Sequence, residues 1–201
     1  MKTKKLLYAG YYIPVVFWGT TIISGLILGD YNHLTRLVSE LGAIGTASQY
    51  LFSTGLIICG ILSALFAKAL YKECKDSGRS VIPVLIILFY SVSITGAAVF
   101  PLPLRLHLYM GMPSILLVLS PLLSFFLWKD KTGLPAVKQL SLVCLAIMLL
   151  GFLVYFPDIL GNYSGLKQRF FHLGWSVWFA YLSYGFLKTA ENKYNSDFVL
   201  K

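Results

Sequence analysis

The side chains best suited to chemistry lie in three short polar segments that interrupt a largely apolar chain. All three histidines and three of the eight acids lie in or beside these segments: Asp30, His33, Glu40, His107, Asp158 and His172. An imidazole exchanges a proton or binds a metal ion near neutral pH, and a carboxylate can orient it or complete a metal site. The distribution predicts a polar site where the three segments meet.

Hydrolysis or acyl transfer at such a site would need a base, an orienting acid and a nucleophile. His107 or His172 is the candidate general base. Glu40 or Asp158 would orient that base through its carboxylate. Ser39 is the candidate nucleophile, although no Gly-x-Ser-x-Gly elbow surrounds it. If the protein is an enzyme, these residues predict a membrane-embedded hydrolase or acyltransferase that acts on lipid.

Zinc is the candidate cofactor of a metal-dependent version of this site. Protein zinc sites are built from histidine nitrogens, thiolates and carboxylate oxygens. His107, His172 and Asp158 supply two of those ligand types.

An anion site is a further interpretation of the same segments. Gln168, Arg169 and His172 are spaced four and three residues apart, so they share one face of a helix. Arginine binds phosphate and carboxylate groups bidentately, which makes Arg105, Gln168 and Arg169 the candidate ligand-binding residues. The same face would equally suit a structural network with Glu40 and Asp158.

The composition restricts the class of protein. Only 12% of the 201 residues are charged, about half of the ~25% typical of a soluble domain. The net charge of +9 comes from basic residues scattered between apolar stretches, with no basic stripe of the kind that binds nucleic acid. The three cysteines show no zinc-site spacing, which predicts free thiols at Cys59, Cys74 and Cys144.

Apolar stretches long enough to cross a bilayer must position the polar segments. A spanning helix needs about 20 mostly apolar residues. Six segments of the chain qualify: about 6–28, 50–70, 81–100, 108–128, 140–156 and 170–187. The predicted fold is an all-α bundle of six transmembrane helices that forms a single membrane domain over residues 1–201.

The distribution of basic residues predicts the orientation of these spans. Of the 17 Lys and Arg residues, 13 lie on the side of the N-terminus. Four lie on the opposite side: Arg36, Arg105, Lys167 and Arg169. Because cytoplasmic loops carry the excess of Lys and Arg, both termini are predicted to be cytoplasmic in a multi-pass protein of the cell membrane. The three polar segments are then outer loops.

The first outer segment has a helical pattern of its own. Leu34, Leu37, Val38 and Leu41 recur at helical spacing, which predicts a short amphipathic helix at the membrane interface. A carboxylate at that depth is costly unless it is paired, so Glu40 is expected to have an arginine partner. The candidates for this partner are Arg36, Arg105 and Arg169.

Four motifs in the outer segments carry a resemblance to a known family. They are Ser39-Glu40-Leu41-Gly42, Phe100-Pro101, His107-x-x-x-Gly111 and Gly165-x-x-Gln168-Arg169. In this order and placement the chain resembles domain of unknown function 998, a family of small polytopic membrane proteins. Members often carry an acid shortly after Phe-Pro, where this chain has Leu102-Pro103, and this departure weakens a metal site in that loop.

The resemblance also bears on function. The family is distantly similar to membrane proteins that remodel GPI lipids or modulate autophagy. It therefore implies a membrane lipid as the partner, bound or modified through its headgroup at the outer leaflet.

Two other classes of function remain open at this point. A transporter or channel would use the few polar side chains within the spans, and Pro113 and Pro121 would kink the fourth span. The hydroxyl groups concerned are Ser91, Ser93, Thr95 and Ser120. A non-catalytic scaffold is the other class, together with a redox protein in which His107 and His172 hold one haem.

Overall fold

Helices make up most of the chain in the part that a computed structural model describes, residues 2–128 and 133–199, with side chains described within 3–128 and 133–191. The α-helices are α1 (Lys2–Leu7), α2 (Ala9–Leu28), α3 (Gln49–Asp76), α4 (Ile82–Val99), α5 (Arg105–Gly111), α6 (Leu119–Leu127), α7 (Val137–Leu150) and α8 (Ser164–Val199). Between them the described residues form the 3₁₀ segments Val38–Gly42, Met112–Val118 and Gly151–Tyr155.

Five helical stretches of the described residues are long and apolar enough to cross a membrane. They are Thr3–Leu28, Gln49–Asp76, Ile82–Val99, Arg105–Leu127 and Val137–Tyr155. The chain thus has the architecture of a multi-pass membrane protein, and these stretches correspond to the first five predicted spans. The sixth predicted span, 170–187, lies inside α8, whose histidine, tryptophan, tyrosine and serine residues make it less apolar than the others.

Helix α8 is less apolar because it is packed inside the protein. It contacts α1, α2, α7 and two of the 3₁₀ segments. Trp175, Trp178 and Phe179 are completely buried along it. The indole N–H of Trp178 donates to the hydroxyl of Ser120, 3.0 Å away. A membrane helix that faces protein can carry such polar groups, because neighbouring helices satisfy them.

The loops define two ends of the bundle. The segments 29–48, 100–104 and 156–163 meet at what we call the histidine end, where the Ile44 N–H donates to the Leu102 carbonyl at 2.7 Å and the Leu166 N–H to the Leu34 carbonyl at 2.8 Å. The opposite, lysine end holds the N-terminal turn, residues 77–81 and the described part of the α6–α7 connection. There Lys4 forms an ion pair with Glu191 at 3.0 Å.

The fourth predicted span is broken where proline was expected to kink it. Pro113 lies in the 3₁₀ segment Met112–Val118, between α5 and α6. Because proline has no N–H, the carbonyl three residues earlier, on Met110, loses its 3₁₀ donor. The hydroxyl of Ser93 on α4 donates to that carbonyl instead. The break is therefore stabilised from the neighbouring helix.

The first polar segment differs in form from its prediction. An amphipathic helix was expected around Leu34–Leu41, whereas residues 33–36 form turns and only Val38–Gly42 is helical, as a 3₁₀ segment. Val38 and Leu41 are buried as the apolar pattern required. Several backbone groups of this segment bond to α8: the Val38 N–H donates to Gln168, and the carbonyls of Leu34 and Arg36 accept from Leu166 and Arg169. These bonds take the place of part of the helical hydrogen bonding that the apolar spacing predicted.

The cysteines behave as predicted. The three are free thiols, and each is buried in the apolar interior at Cys59, Cys74 and Cys144.

Close packing of α8 on α7 generates a prediction at Gly174. A Cβ at this position would lie 2.8 Å from the Met148 nitrogen and 3.0 Å from the Cys144 carbonyl oxygen, both backbone atoms. We expect Gly174→Ala to destabilise the fold by about 1–3 kcal/mol, the usual cost of overpacking. The measurement is the thermal midpoint of unfolding in detergent.

Gly19→Ala is the matched control, because a Cβ at Gly19 meets nothing within 4 Å. Alanine favours a helix over glycine by about 1 kcal/mol, so this midpoint should stay the same or rise. Equal losses in the two variants would show that α7 and α8 are not packed this closely.

Candidate functional site

A cavity of about 370 Å³ opens at the histidine end of the bundle. Its walls are formed by helices α2, α3, α4, α5 and α8 and by the 3₁₀ segments Met112–Val118 and Gly151–Tyr155. The third 3₁₀ segment, Val38–Gly42, also lines the cavity, and we call it the cover. Most of the lining is aliphatic or aromatic. The polar side chains in the lining are Ser39, Ser53, Tyr90, His107, Ser114, Tyr155, Gln168 and His172.

Arg169 fixes the cover of the cavity to α8. Its Nη1 donates to the carbonyls of Arg36 at 3.1 Å and Gly165 at 2.9 Å. Its Nη2 donates to the Tyr31 hydroxyl and to Nδ1 of His33, each at 3.0 Å. Both terminal nitrogens of the guanidinium are thus engaged within the protein, and they hold the first polar segment in place.

Tyr31 extends this arrangement into the cover. Its hydroxyl donates to the Leu37 carbonyl at 2.7 Å, directly before the 3₁₀ segment. Burial raises the pKa of Tyr31 above its ordinary 10.0, so the hydroxyl keeps the proton that it donates.

Glu40 and Gln168 complete the attachment of the cover. Glu40 accepts from Nε of Arg36 at 2.8 Å and from the Leu37 N–H at 2.8 Å. The predicted arginine partner of Glu40 is therefore Arg36. The side-chain oxygen of Gln168 accepts from the Val38 N–H at 2.7 Å, which caps the start of the 3₁₀ segment from α8.

Gly165 explains why α8 can begin so close to the cover. A Cβ at this position would lie 2.7 Å from the His33 carbonyl oxygen. Glycine alone permits this approach, and Gln168 and Arg169 follow on the next turn to bind the same segment. The Gly-x-x-Gln-Arg motif therefore attaches the first polar segment to α8.

The charge state of His33 follows from its partner. A guanidinium can only donate, so Nδ1 of His33 must accept and the ring proton must lie on Nε2. Burial, followed by the charge of Arg169, holds the pKa of His33 below its ordinary 6.5. The ring is therefore neutral in the folded protein at neutral pH.

His107 and Lys167 cap two helix ends in parallel fashion. Nδ1 of His107 lies 2.9 Å from the carbonyl of Phe100, just past the end of α4. The ammonium of Lys167, which is 1% exposed, donates to the carbonyl of Phe156 at 3.0 Å. Each carbonyl precedes a proline at a helix C-terminus, where orphaned carbonyls need donors.

His172 lies deeper than the other histidines. Its Nδ1 accepts from the indole N–H of Trp175 at 3.1 Å, and its ring packs against Phe17 with centroids 4.7 Å apart. It is part of the cavity wall, as are His107, Ser39 and Gln168.

The predicted site residues thus fall into three groups. Four of them line one cavity: Ser39, His107, Gln168 and His172. Glu40 and Arg169 hold its cover, while Arg105 and Asp158 are exposed outside it.

The described part of the chain contains no group of three histidine, cysteine, aspartate or glutamate residues able to hold a metal ion. The zinc set His107, His172 and Asp158 is not assembled there. Among the hydrogen bonds of the described residues, none joins Ser39 to a histidine, and both Glu40 oxygens bind other groups.

Sequence reasoning missed three residues of this site, Tyr31, Tyr90 and Trp175. Tyr31 and Trp175 each lie within three residues of a histidine of the polar segments, His33 and His172. For Tyr31 this nearness becomes informative only once the fold of its loop is known. Tyr90 lies in the middle of an apolar span, where the only signal is a phenol placed far from the interface that normally accommodates it.

A family model described as "Protein of unknown function (DUF998)" matches residues 13–184. The chain belongs to the DUF998 family. No curated protein and no solved structure matches the chain. The DUF998 match runs from α2 into α8, so it includes every wall of the cavity and the whole of its cover.

The Arg169 contacts generate a prediction for stability. Arg169→Lys keeps the charge but replaces the planar fork with a single ammonium, which cannot reach all four acceptors. Since hydrogen bonds to charged groups contribute about 1.5–3 kcal/mol each, we expect a loss of about 2–4 kcal/mol. Arg105→Lys is the control, because Arg105 is an exposed arginine at the same end. A thermal midpoint that falls equally in both variants would contradict this role of Arg169.

The lowered pKa of His33 generates a prediction for pH dependence. The unfolded chain, in which the pKa is near 6.5, binds a proton more readily than the folded protein. Stability is therefore present above the unfolded pKa and decreases as the pH falls below about 6.5. The thermal midpoint measured between pH 7.5 and 5.5 should decline, and His33→Gln should decline less steeply. Parallel curves for the two proteins would rule out His33 as the titrating group.

Proposed function

We propose that this DUF998 protein is a six-span protein of the cell membrane that binds the apolar part of a membrane lipid in the cavity at its histidine end. Both termini lie in the cytoplasm, and the cavity lies in the outer leaflet. The observation that carries this proposal is an apolar cavity of about 370 Å³ inside a bundle of membrane-spanning helices.

The cavity has the size and the lining of a site for an apolar ligand. Ligand sites commonly measure about 300–1,000 Å³ and are mostly apolar with a few polar groups. At the rim, the side chains of Leu108, Met112 and Tyr155 are more than half exposed. The opening then faces the surrounding lipid between α5 and the 3₁₀ segment Gly151–Tyr155, so an acyl chain can enter from the side.

Two breaks in helical geometry support entry at this position. Both of these 3₁₀ segments line the cavity: Met112–Val118 lies within the stretch Arg105–Leu127, and Gly151–Tyr155 ends the stretch Val137–Tyr155. A 3₁₀ segment within a helix, such as Met112–Val118, often marks a place where the backbone adjusts. The rim is therefore the part of the wall best able to move apart for a ligand.

The proposed topology rests on α8 and on the lysine end. Helix α8 is 36 residues long, and its packing against α1, α2 and α7 makes it the sixth crossing element of the bundle. Lys4, Lys75, Arg79 and Lys188 lie at the lysine end or in the turns next to it. An excess of basic residues at that end favours its placement in the cytoplasm.

Lipid binding explains the hydroxyl groups within the spans better than transport does. Of the hydroxyl groups that a transport pathway would use, Ser93 bonds the Met110 carbonyl and Thr95 the Ser91 carbonyl at 2.8 Å. Ser120 accepts from Trp178. These groups serve the helix packing and leave the cavity as the place for a ligand.

Two adjacent residues provide the test. Ile115 lines the cavity, while Leu116 is 48% exposed on the outer surface of the same 3₁₀ segment. Tryptophan at position 115 would fill the cavity, whereas the same change in side-chain volume at position 116 would project into lipid. We expect Ile115→Trp to lose most of the lipid that co-purifies with the wild-type protein, measured by native mass spectrometry.

Leu116→Trp is expected to retain wild-type lipid. A comparison of the thermal midpoints of the two variants reports whether each one is folded. The proposal would be refuted if wild type and both variants carried the same amount of tightly bound lipid.

A further inference from the structure

Two polar atoms in the wall of the cavity have no hydrogen-bond partner in the described part of the chain. They are the hydroxyl of Tyr90 on α4 and Nε2 of His172 on α8, and both atoms are buried. Both residues line the same cavity. Eight buried side-chain nitrogen and oxygen atoms of the described residues lack a partner, and these two are the ones in the cavity lining. Buried polar atoms are usually paired in native proteins, so two unpaired atoms in one wall call for a common explanation.

The hydrogen-bond geometry makes Nε2 of His172 a donor. The indole N–H of Trp175 can only donate, so Nδ1 of His172 must accept from it. An imidazole with one accepting nitrogen carries its proton on the other. The unpartnered atom is thus an N–H group, fixed in this tautomer by Trp175.

The two donors are neighbours around one aromatic ring. The ring of Tyr90 lies 5.5 Å from that of Trp175, and the ring of His172 lies 6.2 Å from it. Phe17 packs against both His172 and Trp175, with centroids 4.7 Å and 5.1 Å away. The phenol and the imidazole are therefore held rigidly in the same part of the wall.

Both groups require an acceptor from outside the chain. A phenol or an imidazole N–H that is buried in apolar surroundings loses its hydrogen bonds to water. This loss costs free energy unless an acceptor reaches the group. Phosphate and other charged headgroups are excluded from this apolar wall by the cost of desolvation. The matching ligand is an uncharged oxygen in an otherwise apolar molecule.

We propose that the Tyr90 hydroxyl and the His172 Nε2–H donate to a carbonyl oxygen of the molecule held in the cavity. Ester-linked acyl chains and isoprenoid quinones both present such a carbonyl on an apolar body. This inference rests on the proposed lipid-binding function, and it adds the group that the cavity recognises.

Lipids that differ only in this carbonyl provide the test. Purified protein is exchanged into equal amounts of diacyl and dialkyl-ether phosphatidylcholine with the same chain lengths, and the retained lipid is measured by native mass spectrometry. In the ether lipid a methylene group replaces the carbonyl, and the ether oxygen that remains is a poorer acceptor at a different position. We expect the wild-type protein to retain the diacyl lipid about five- to tenfold in excess, the effect of one typical hydrogen bond.

Tyr90→Phe removes a single donor and keeps the ring, so it should reduce this preference at least severalfold. Tyr109→Phe is the control, because Tyr109 is an exposed tyrosine at the histidine end that does not line the cavity. His172→Leu should also reduce the preference, and His172→Gln, which keeps an N–H donor, should restore part of it.

A second arm separates the two carbonyl sources. An isoprenoid quinone added to the diacyl-loaded protein displaces the lipid if the ring carbonyl is preferred, and leaves it bound if the ester is preferred. Equal retention of diacyl and ether lipid, without quinone binding, would overturn this inference and leave the proposed function standing. Absence of any retained lipid or quinone would refute both.

Discussion

The fork of hydrogen bonds from Arg169 is the interaction on which the histidine end depends. It joins the start of α8 to the backbone of the first polar segment and to Tyr31 and His33 in that segment. Gln168 adds a bond to the start of the 3₁₀ segment that covers the cavity. These bonds add to the ones that Ser48 and Ser164 donate to carbonyls of the same segment. Arg169 thus holds α8 and the first polar segment together. The charge of an arginine at this place would by itself have predicted a binding site.

The membrane makes every unpaired polar group expensive, and the fold meets this constraint mostly with side chains from neighbouring helices. Ser93 serves the carbonyl left open by Pro113. His107 and Lys167 serve the carbonyls that precede Pro101 and Pro157. Of the eight buried side-chain nitrogen and oxygen atoms that lack a partner among the described residues, only the Tyr90 hydroxyl and His172 Nε2 belong to residues that line the cavity. They are best explained as the polar part of a ligand site whose remaining surface is apolar.

Much of the fold was readable from the sequence because apolar length is a strong signal. Five predicted spans correspond to apolar helices of the structure, and Glu40 has one of its predicted arginine partners, Arg36. The sixth predicted span lies inside α8, which is less apolar than the five stretches because much of it packs against other helices. The arrangement of the site could not be predicted from the sequence, because it also depends on packing. Spacing placed Gln168, Arg169 and His172 on one helix, but only packing decides which of them binds the loop and which lines a cavity.

The central claim is that the cavity between Tyr90 and His172 holds a carbonyl-bearing lipid. A high-resolution cryo-electron microscopy map of the wild-type protein in nanodiscs made from native lipid tests it most directly. The account predicts elongated density that runs from the rim beside Met112 into the cavity, with an oxygen within hydrogen-bonding distance of the Tyr90 hydroxyl and His172 Nε2. A cavity that is closed by side chains, or one that holds only ordered water bridging these two groups, would contradict it.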